Sequence, residues 1–323
     1  MKRYILKRLL LLIPVLFGIT LITFFIIHLT PGGFTKVNME MDQRVSPDSV
    51  QKLKTLYGLD KPLPVQYLNW LTRFARLDFG DSFIDNRPVI EKIGERLPAT
   101  LLRSISALII EFVLSIMIGV TSALRRNSFY DKFMTVSTFI GYSIPSFWLA
   151  LMLMLLFGVN LGILPVSGMK SLNYEFLSMP GKILDILWHM VLPVFITAFG
   201  GLAYLSRYVK SSMVESLGQQ YIKAAYAKGL SENTIIYRNA LKNSLLPVVT
   251  LLGLSLPGLI GGSFIFETIF SWPGMGRLAY DAAMSFDYPV IMGTVTIAAF
   301  LTLVGNLIAD IVYALVDPRI RYK

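Results

Sequence analysis

Six stretches of roughly twenty apolar residues divide this chain, and they constrain its fold more than any other feature. A helix needs about 20 mostly apolar residues to cross some 30 Å of hydrocarbon. The runs fall at about Leu9 to Leu29, Leu101 to Leu124, Phe133 to Leu156, Ile186 to Tyr208, Leu245 to Phe266 and Pro289 to Val316. The expectation is an all-α polytopic membrane protein with six transmembrane helices. Composition agrees: 54% of the 323 residues are hydrophobic and 15% are charged, where soluble domains carry about 25% charge. An ordinary soluble domain, a disordered chain and a nucleic-acid binder all fit poorly, despite a pI near 9.6. The absence of cysteine excludes disulfides, thiolate metal sites, iron–sulfur clusters and a cysteine nucleophile.

The first run follows Lys2, Arg3, Lys7 and Arg8. Its apolar core exceeds the 7–15 residues of a secretory signal and no small-x-small cleavage site follows, so it reads as a retained helix. Basic residues then orient the chain. With a cytoplasmic N-terminus, the inner segments 1–8, 125–132, 207–244 and 317–323 hold sixteen Lys and Arg against four acids. The remaining fourteen basic residues are counted with the outer segments, where fourteen acids balance them. Both termini are therefore expected in the cytoplasm, and the basic pI reflects topology.

Two connections exceed simple turns. Residues 30–99 are expected outside as a small helical cap, with a floppy loop as the plainer reading. Ser46 and Pro47 start a short helix through Leu56, and Tyr57-Gly58-Leu59-Asp60 stops it. Pro64 to Arg76 reads as an amphipathic helix with Val65, Leu68, Leu71 and Phe74 on one face. A turn follows over Leu77 to Phe83, and Pro88 to Arg96 forms a third short helix leading into Leu97-Pro98-Ala99-Thr100. The domain expectation is thus 1–29 for the N-terminus and first span, 30–99 for the cap, and 100–323 for the core.

The second long connection, 209–244, is expected in the cytoplasm. Val209 to Lys228 can continue helically from the fourth span, Gly229 supplies a left-handed stop, and Ser231 caps a helix from Glu232 towards Leu245. Pro247 stands at the entry to the fifth span. Ala224, Ala225 and Ala227 give the turn a small surface that a partner's groove can approach closely. Chemistry alone leaves a second reading open, an amphipathic helix whose Lys223, Lys228, Arg238 and Lys242 rest on anionic lipid.

Residues Tyr221 to Leu230, followed by Arg238 to Lys242 and Leu245-Leu246-Pro247, resemble the cytoplasmic EAA loop of ABC importer permeases in its dipeptide/oligopeptide version. Lys223 stands where the general motif has an acid. The likeness extends to Arg3 to Arg8, Tyr57 to Leu63, Arg96 to Thr100, Gly162 to Pro165, Glu267 to Gly276 and Asp310 to Arg319. It covers nearly the whole chain and resembles the B-type permease subunit. The resemblance implies the type I ABC importer permease fold and a place in a bacterial inner membrane. It also implies a pathway shared with a second homologous permease, two ABC ATPase subunits docked below, and an external substrate-binding protein above. Lys223, Ala224, Ala225, Ala227, Lys228, Gly229 and Leu230 would couple to the ATPases. The chain itself would carry no cofactor, ATP and Mg being bound by the ATPase partners. Cargo stays open among dipeptides, oligopeptides, glutathione, nickel complexes and oligosaccharides.

The motifs agree with a non-catalytic subunit. No G-x-x-x-x-G-K-[ST] phosphate loop, H-E-x-x-H or G-x-S-x-G occurs, and His28 and His189 are the only histidines. Charge at membrane depth points to function by default. Glu111, mid-way along the second span, reads as facing a water-filled pathway, binding a cation or pairing with a basic residue of a neighbouring subunit, or else as a neutral, protonated acid hydrogen-bonded to another helix. Asp310, near the inner end of the last span, reads as structural. Pro257, Gly258, Gly261 and Gly262 are pathway candidates because they allow motion or close helix contact in span five. Two rival functions remain: an ion-coupled secondary transporter using Glu111, and an intramembrane enzyme at His189. The first lacks an inverted repeat, and the second leaves the cytoplasmic loop unexplained.

Overall fold

The computed structural model describes residues 2–29, 61–259 and 261–316. In chain order its helices are α1 (Lys2–Leu29), α2 (Leu63–Phe74), α3 (Val89–Leu124), α4 (Phe129–Ser143), α5 (Ser146–Leu153), α6 (Met179–Leu217), α7 (Gln220–Ala227), α8 (Lys242–Ser244), α9 (Leu246–Ser255), α10 (Phe264–Ile269), α11 (Met275–Met284) and α12 (Tyr288–Val316). Met154–Asn160 and Thr234–Leu241 wind as π-helix, and Leu256–Leu259 as a 3-10 turn. Among the described residues the only strand-like pairing is the bridge between Asp81 and Pro88. The expected all-α membrane fold is the one observed. The expected helix from Ser46 to Leu56, its stop at 57–60, and the closing Asp317-Pro318-Arg319 lie outside the described residues.

Four of the six expected spans are continuous helices: α1, α3, α6 and α12. The third is broken. Helix α4 meets the helical run Ser146–Asn160, which begins with α5, at 99°, because Pro145 cannot continue α4 and holds Ile144 in extended backbone. The fifth is also not one helix. Its ten-residue α9 rises only about 15 Å, half the hydrocarbon thickness. After the 3-10 turn the chain passes through Gly262 at φ +66° and restarts as α10, where Ser263 caps Phe266 N–H.

Helices α3 and α6, of 36 and 39 residues, rise about 54 and 58 Å, so both project beyond the bilayer. They form the most extensive helix pair of the structure. Gly119 makes this possible: a Cβ there would lie 2.6 Å from Val209 Cβ and 2.7 Å from the Ser206 carbonyl oxygen. The expected separate helix at Pro88–Arg96 is instead the N-terminal end of α3. Its Pro98 is accommodated opposite Gly94, four residues earlier, within a continuous helix.

The cap helix α2 forms as expected but presents a different face. Val65 and Leu68 are exposed, while Tyr67 is buried. The Tyr67 hydroxyl pairs with Thr20 Oγ1 of α1 at 2.9 Å, and its ring meets Phe17 and Phe24 edge-on. Trp70, Leu71 and Phe74 continue this buried side. The following loop is tied to the start of α12: Ser82 Oγ donates to Asp287 Oδ2 at 2.5 Å and Phe83 N–H to Asp287 Oδ1 at 3.1 Å. Lys92 Nζ donates to Asp85 at 2.8 Å, and this bond holds the Asp85 carboxyl down at about 2.

Candidate functional site

Two regions collect the sequence-derived site residues. The first is the 209–244 connection. It does not continue α6 to Lys228 as expected. Helix α6 stops at Leu217, Gly218 and an extended Gln219 turn the chain, and α7 starts afresh. Ile222 and Ala225 on α7 are buried in a core with Val209, Met213, Ile235, Ala240 and Val248. That core joins α7 to α3, α6 and α9. Lys223, Ala224, Ala227, Lys228, Gly229 and Leu230 are exposed. Ala225 is therefore an inward anchor, not part of the outer surface grouped with it.

The end of α7 explains the need for glycine. Gly229 has φ +72°. Its N–H bonds to the Tyr226 carbonyl at 2.9 Å, and Leu230 N–H reaches back to Ala225 at 3.3 Å. This pair of bonds is the Schellman closure, which requires a left-handed residue. Ser231 does not cap the next helix through its side chain; its hydroxyl pairs with that of Thr234 at 2.8 Å. The returning segment is fastened to α6, since Ser216 Oγ donates to Ala240 O and Ser212 Oγ to Ser244 O, both at 2.9 Å.

The second region is a cavity of about 210 Å³ between α3, α6 and the broken fifth span. Glu111, Gly258 and Gly262 all line it, so three pathway candidates converge there. Gly261 is not among the residues that line it. Close packing accounts for Gly262 alone, where a Cβ would meet Glu267 Oε1 at 2.8 Å; at Gly258 and Gly261 a Cβ would meet nothing within 4 Å. Glu111 is half-buried, and its carboxylate lies against bare backbone at Gly201, where a Cβ would sit 2.0 Å from Oε1.

Beside this cavity lies a polar node that the sequence reading missed. Arg103 and Glu267 form an ion pair at 3.4 Å, with side chains 2% and 0% exposed. Arg103 also donates to Thr197 Oγ1 at 2.8 Å. Glu267 accepts from Thr100 Oγ1 at 3.2 Å and from Arg277 N–H at 2.9 Å. Gly274 and Gly276 leave room for its carboxylate. Trp272, fully buried, donates its indole N–H to Ala99 O at 2.9 Å, and Met275 N–H bonds Thr100 Oγ1 at 2.8 Å. Two segments that carry the family likeness, Arg96 to Thr100 and Glu267 to Gly276, are thus one packed unit. The charge count groups Arg103 with the outer loops, whereas it is buried in the bundle.

Two other polar candidates are engaged by neighbours within the fold. Asp310 pairs with Arg8 at 3.1 Å, joining α12 to α1. His189 is buried, with Nδ1 2.7 Å from the Asp185 carbonyl one turn earlier. Among the described residues no group of three or more His, Asp or Glu is arranged to hold a metal ion.

The described residues form a bundle of long apolar helices, as an integral membrane component requires, with the glycine-closed helix α7 packed against it. Residues 115–322 match the family model described as "Binding-protein-dependent transport system inner membrane component", and residues 1–106 match the N-terminal model of the same kind of component. The chain is 45% identical over 323 residues to the oligopeptide transport system permease protein AppB of Bacillus subtilis, covering all of both chains. It is 38% identical over 339 residues to the dipeptide transport system permease protein DppB of Escherichia coli K12, again covering all of both. Among solved structures, the inward-facing MetNI methionine ABC transporter aligns with 69% of this chain and 97% of its own at TM-score 0.48 and 18% identity. The chain belongs to the family of inner-membrane components of binding-protein-dependent transport systems, and it is an integral inner-membrane permease.

Proposed function

We propose that this chain is the B-type permease subunit of an ABC importer for short peptides. It supplies half of the translocation pathway and the contact through which ATP hydrolysis elsewhere is felt. It pairs with a second homologous permease, two ABC ATPase subunits dock on its inner face, and an external binding protein delivers cargo. ATP and Mg are bound by the ATPases, and this chain makes and breaks no bonds. Both termini face the cytoplasm, in line with the basic excess on segments 1–8 and 125–132. The cap at 30–99 and the core at 100–323 remain the working division, with α3 running unbroken across the boundary and the 209–244 loop as the coupling element.

One observation carries this reading: α7 exposes Ala224, Ala227 and Gly229 while Ile222 and Ala225 lock it into the core of α3, α6 and α9. A small exposed surface suits a partner's groove, and the buried side transmits its displacement to the broken fifth span. The two full-length peptide permease relatives support the cargo class. Membership of a binding-protein-dependent family leaves the ion-coupled alternative without support.

The test is purification of a tagged copy from its own cells in mild detergent, followed by reconstitution in vesicles. Recovery of a second permease and ATPases, with ATP-dependent uptake of a radiolabelled tripeptide delivered by the binding protein, is the expected result. Recovery of this chain alone as a folded, monodisperse species that moves peptide down an ion gradient would overturn it.

A further inference from the structure

We propose that Glu111 is the point in the pathway where the amino-terminal ammonium of a passing peptide rests. This inference rests on the peptide-importer reading above. Three observations converge on it. First, Glu111 lines the 210 Å³ cavity beside the break in span five, and among the described residues its carboxylate takes part in no hydrogen bond or ion pair. A carboxylate left without donors at membrane depth is costly unless a cation or water meets it. Second, the other charges beside the cavity cancel, because Arg103 is paired with Glu267. Among the described residues that line the cavity, Glu111 is therefore the one ionisable side chain without a charged partner. Third, its wall offers little competition. Thr197 Oγ1 and Ser255 Oγ bond to carbonyls of their own helix, while Gly258 presents bare backbone.

The chemistry of the cation follows from the site. A metal ion needs several ligands, and among the described residues of the cavity wall Glu111 has no second carboxylate or imidazole beside it. An ammonium needs one carboxylate and a few oxygen acceptors. The cavity holds roughly seven waters' worth of liquid volume, about 30 Å³ each, enough for a terminal residue rather than a bare ion. Every unblocked peptide carries this ammonium, so recognition there is independent of side chains.

The experiment uses the whole complex in vesicles with its binding protein and radiolabelled trialanine. Glu111→Gln keeps the shape and removes the charge. At least a tenfold fall in uptake is expected, with binding-protein-stimulated ATP hydrolysis retained and part of the uptake restored in Glu111→Asp. Photocrosslinking supplies the second readout. A diazirine placed in the first residue of the tripeptide should label segments 104–111 or 255–259 in the unaltered complex and lose that labelling in Glu111→Gln. Unchanged uptake by Glu111→Gln would overturn the proposal. So would equal labelling from the third residue, or loss of the second permease from the Glu111→Gln complex, which would make Glu111 a subunit contact. Absence of peptide uptake by the unaltered complex would instead remove the importer reading and this inference with it.

Discussion

Arg103 on α3 and Glu267 on α10 face each other at 3.4 Å with almost no exposure, 164 residues apart in the chain. Each is further hydrogen-bonded, so neither charge is abandoned in the bundle. Removing one partner is different from removing both, because a lone buried charge is destabilising by about 3–5 kcal/mol. Glu267→Ala should lower the stability of the detergent-purified protein by that order. Arg103→Met added to it should recover much of the loss. Equal melting temperatures for the single variants and the parent would contradict the pairing.

The contact of Glu111 with Gly201 makes a steric prediction. A methyl group on Gly201 would overlap Glu111 Oε1. Gly201→Ala should destabilise the protein by about 1–3 kcal/mol, the usual range for overpacking. Glu111→Ala in the same chain should relieve that strain. A thermal melt of the two singles and the double variant measures the coupling directly, and simple additivity would count against the geometry.

Gly229 is the closure of α7. Its φ of +72° admits a side chain only with strain, although the space around it is open. Gly229→Val should abolish ATP-driven uptake while the protein still inserts in the membrane. Gly229→Asn, a residue that tolerates the left-handed region, should retain most of it. Uptake at the parental rate in the valine variant would remove the coupling role of this turn.

The cap carries a pH signature. Asp85 is held at about 2 by its bond from Lys92, below the ordinary 3.8. A depressed carboxyl stabilises the fold above the unfolded value and loses that contribution as pH falls through the folded one. The cap should therefore loosen between roughly pH 4 and pH 2. Hydrogen exchange over residues 80–92 would report it, and Lys92→Met should remove the acid-dependent part. The pair is partly exposed, so the effect is small and weakens with salt.

Continuous apolar runs carried their meaning plainly. Helices α1, α3, α6 and α12 lie where the sequence places spans, because nothing in those runs opposes a helix strongly enough to end it. Pro14, Pro98 and Pro193 are accommodated within them. Spans three and five were legible as apolar but not as broken. Hydropathy sums over a window and does not register the turn forced at Ile144-Pro145 or the left-handed Gly262. Glu111 stood out because it interrupts an apolar run. Arg103 and Glu267 did not, since each lies near an end of its run and resembles a loop charge. Their burial depends on a contact across 164 residues. The signal that could have revealed it was the glycines at 262, 274 and 276 bracketing one acid.

The same long separation bears on how the chain is made. Helix α3 leaves the ribosome well before Glu267 exists. At about 5–20 residues per second, the interval is roughly ten to thirty seconds. During that time Arg103 is a charged side chain on a newly inserted helix, at an insertion cost of up to about 3 kcal/mol if it sits deep. Water at the membrane surface is at hand early, whereas Thr197 arrives only with α6. Biogenesis of this permease is therefore expected to pass through a half-built state in which α3 sits shallow, sinking to its final depth only when α10 closes over it.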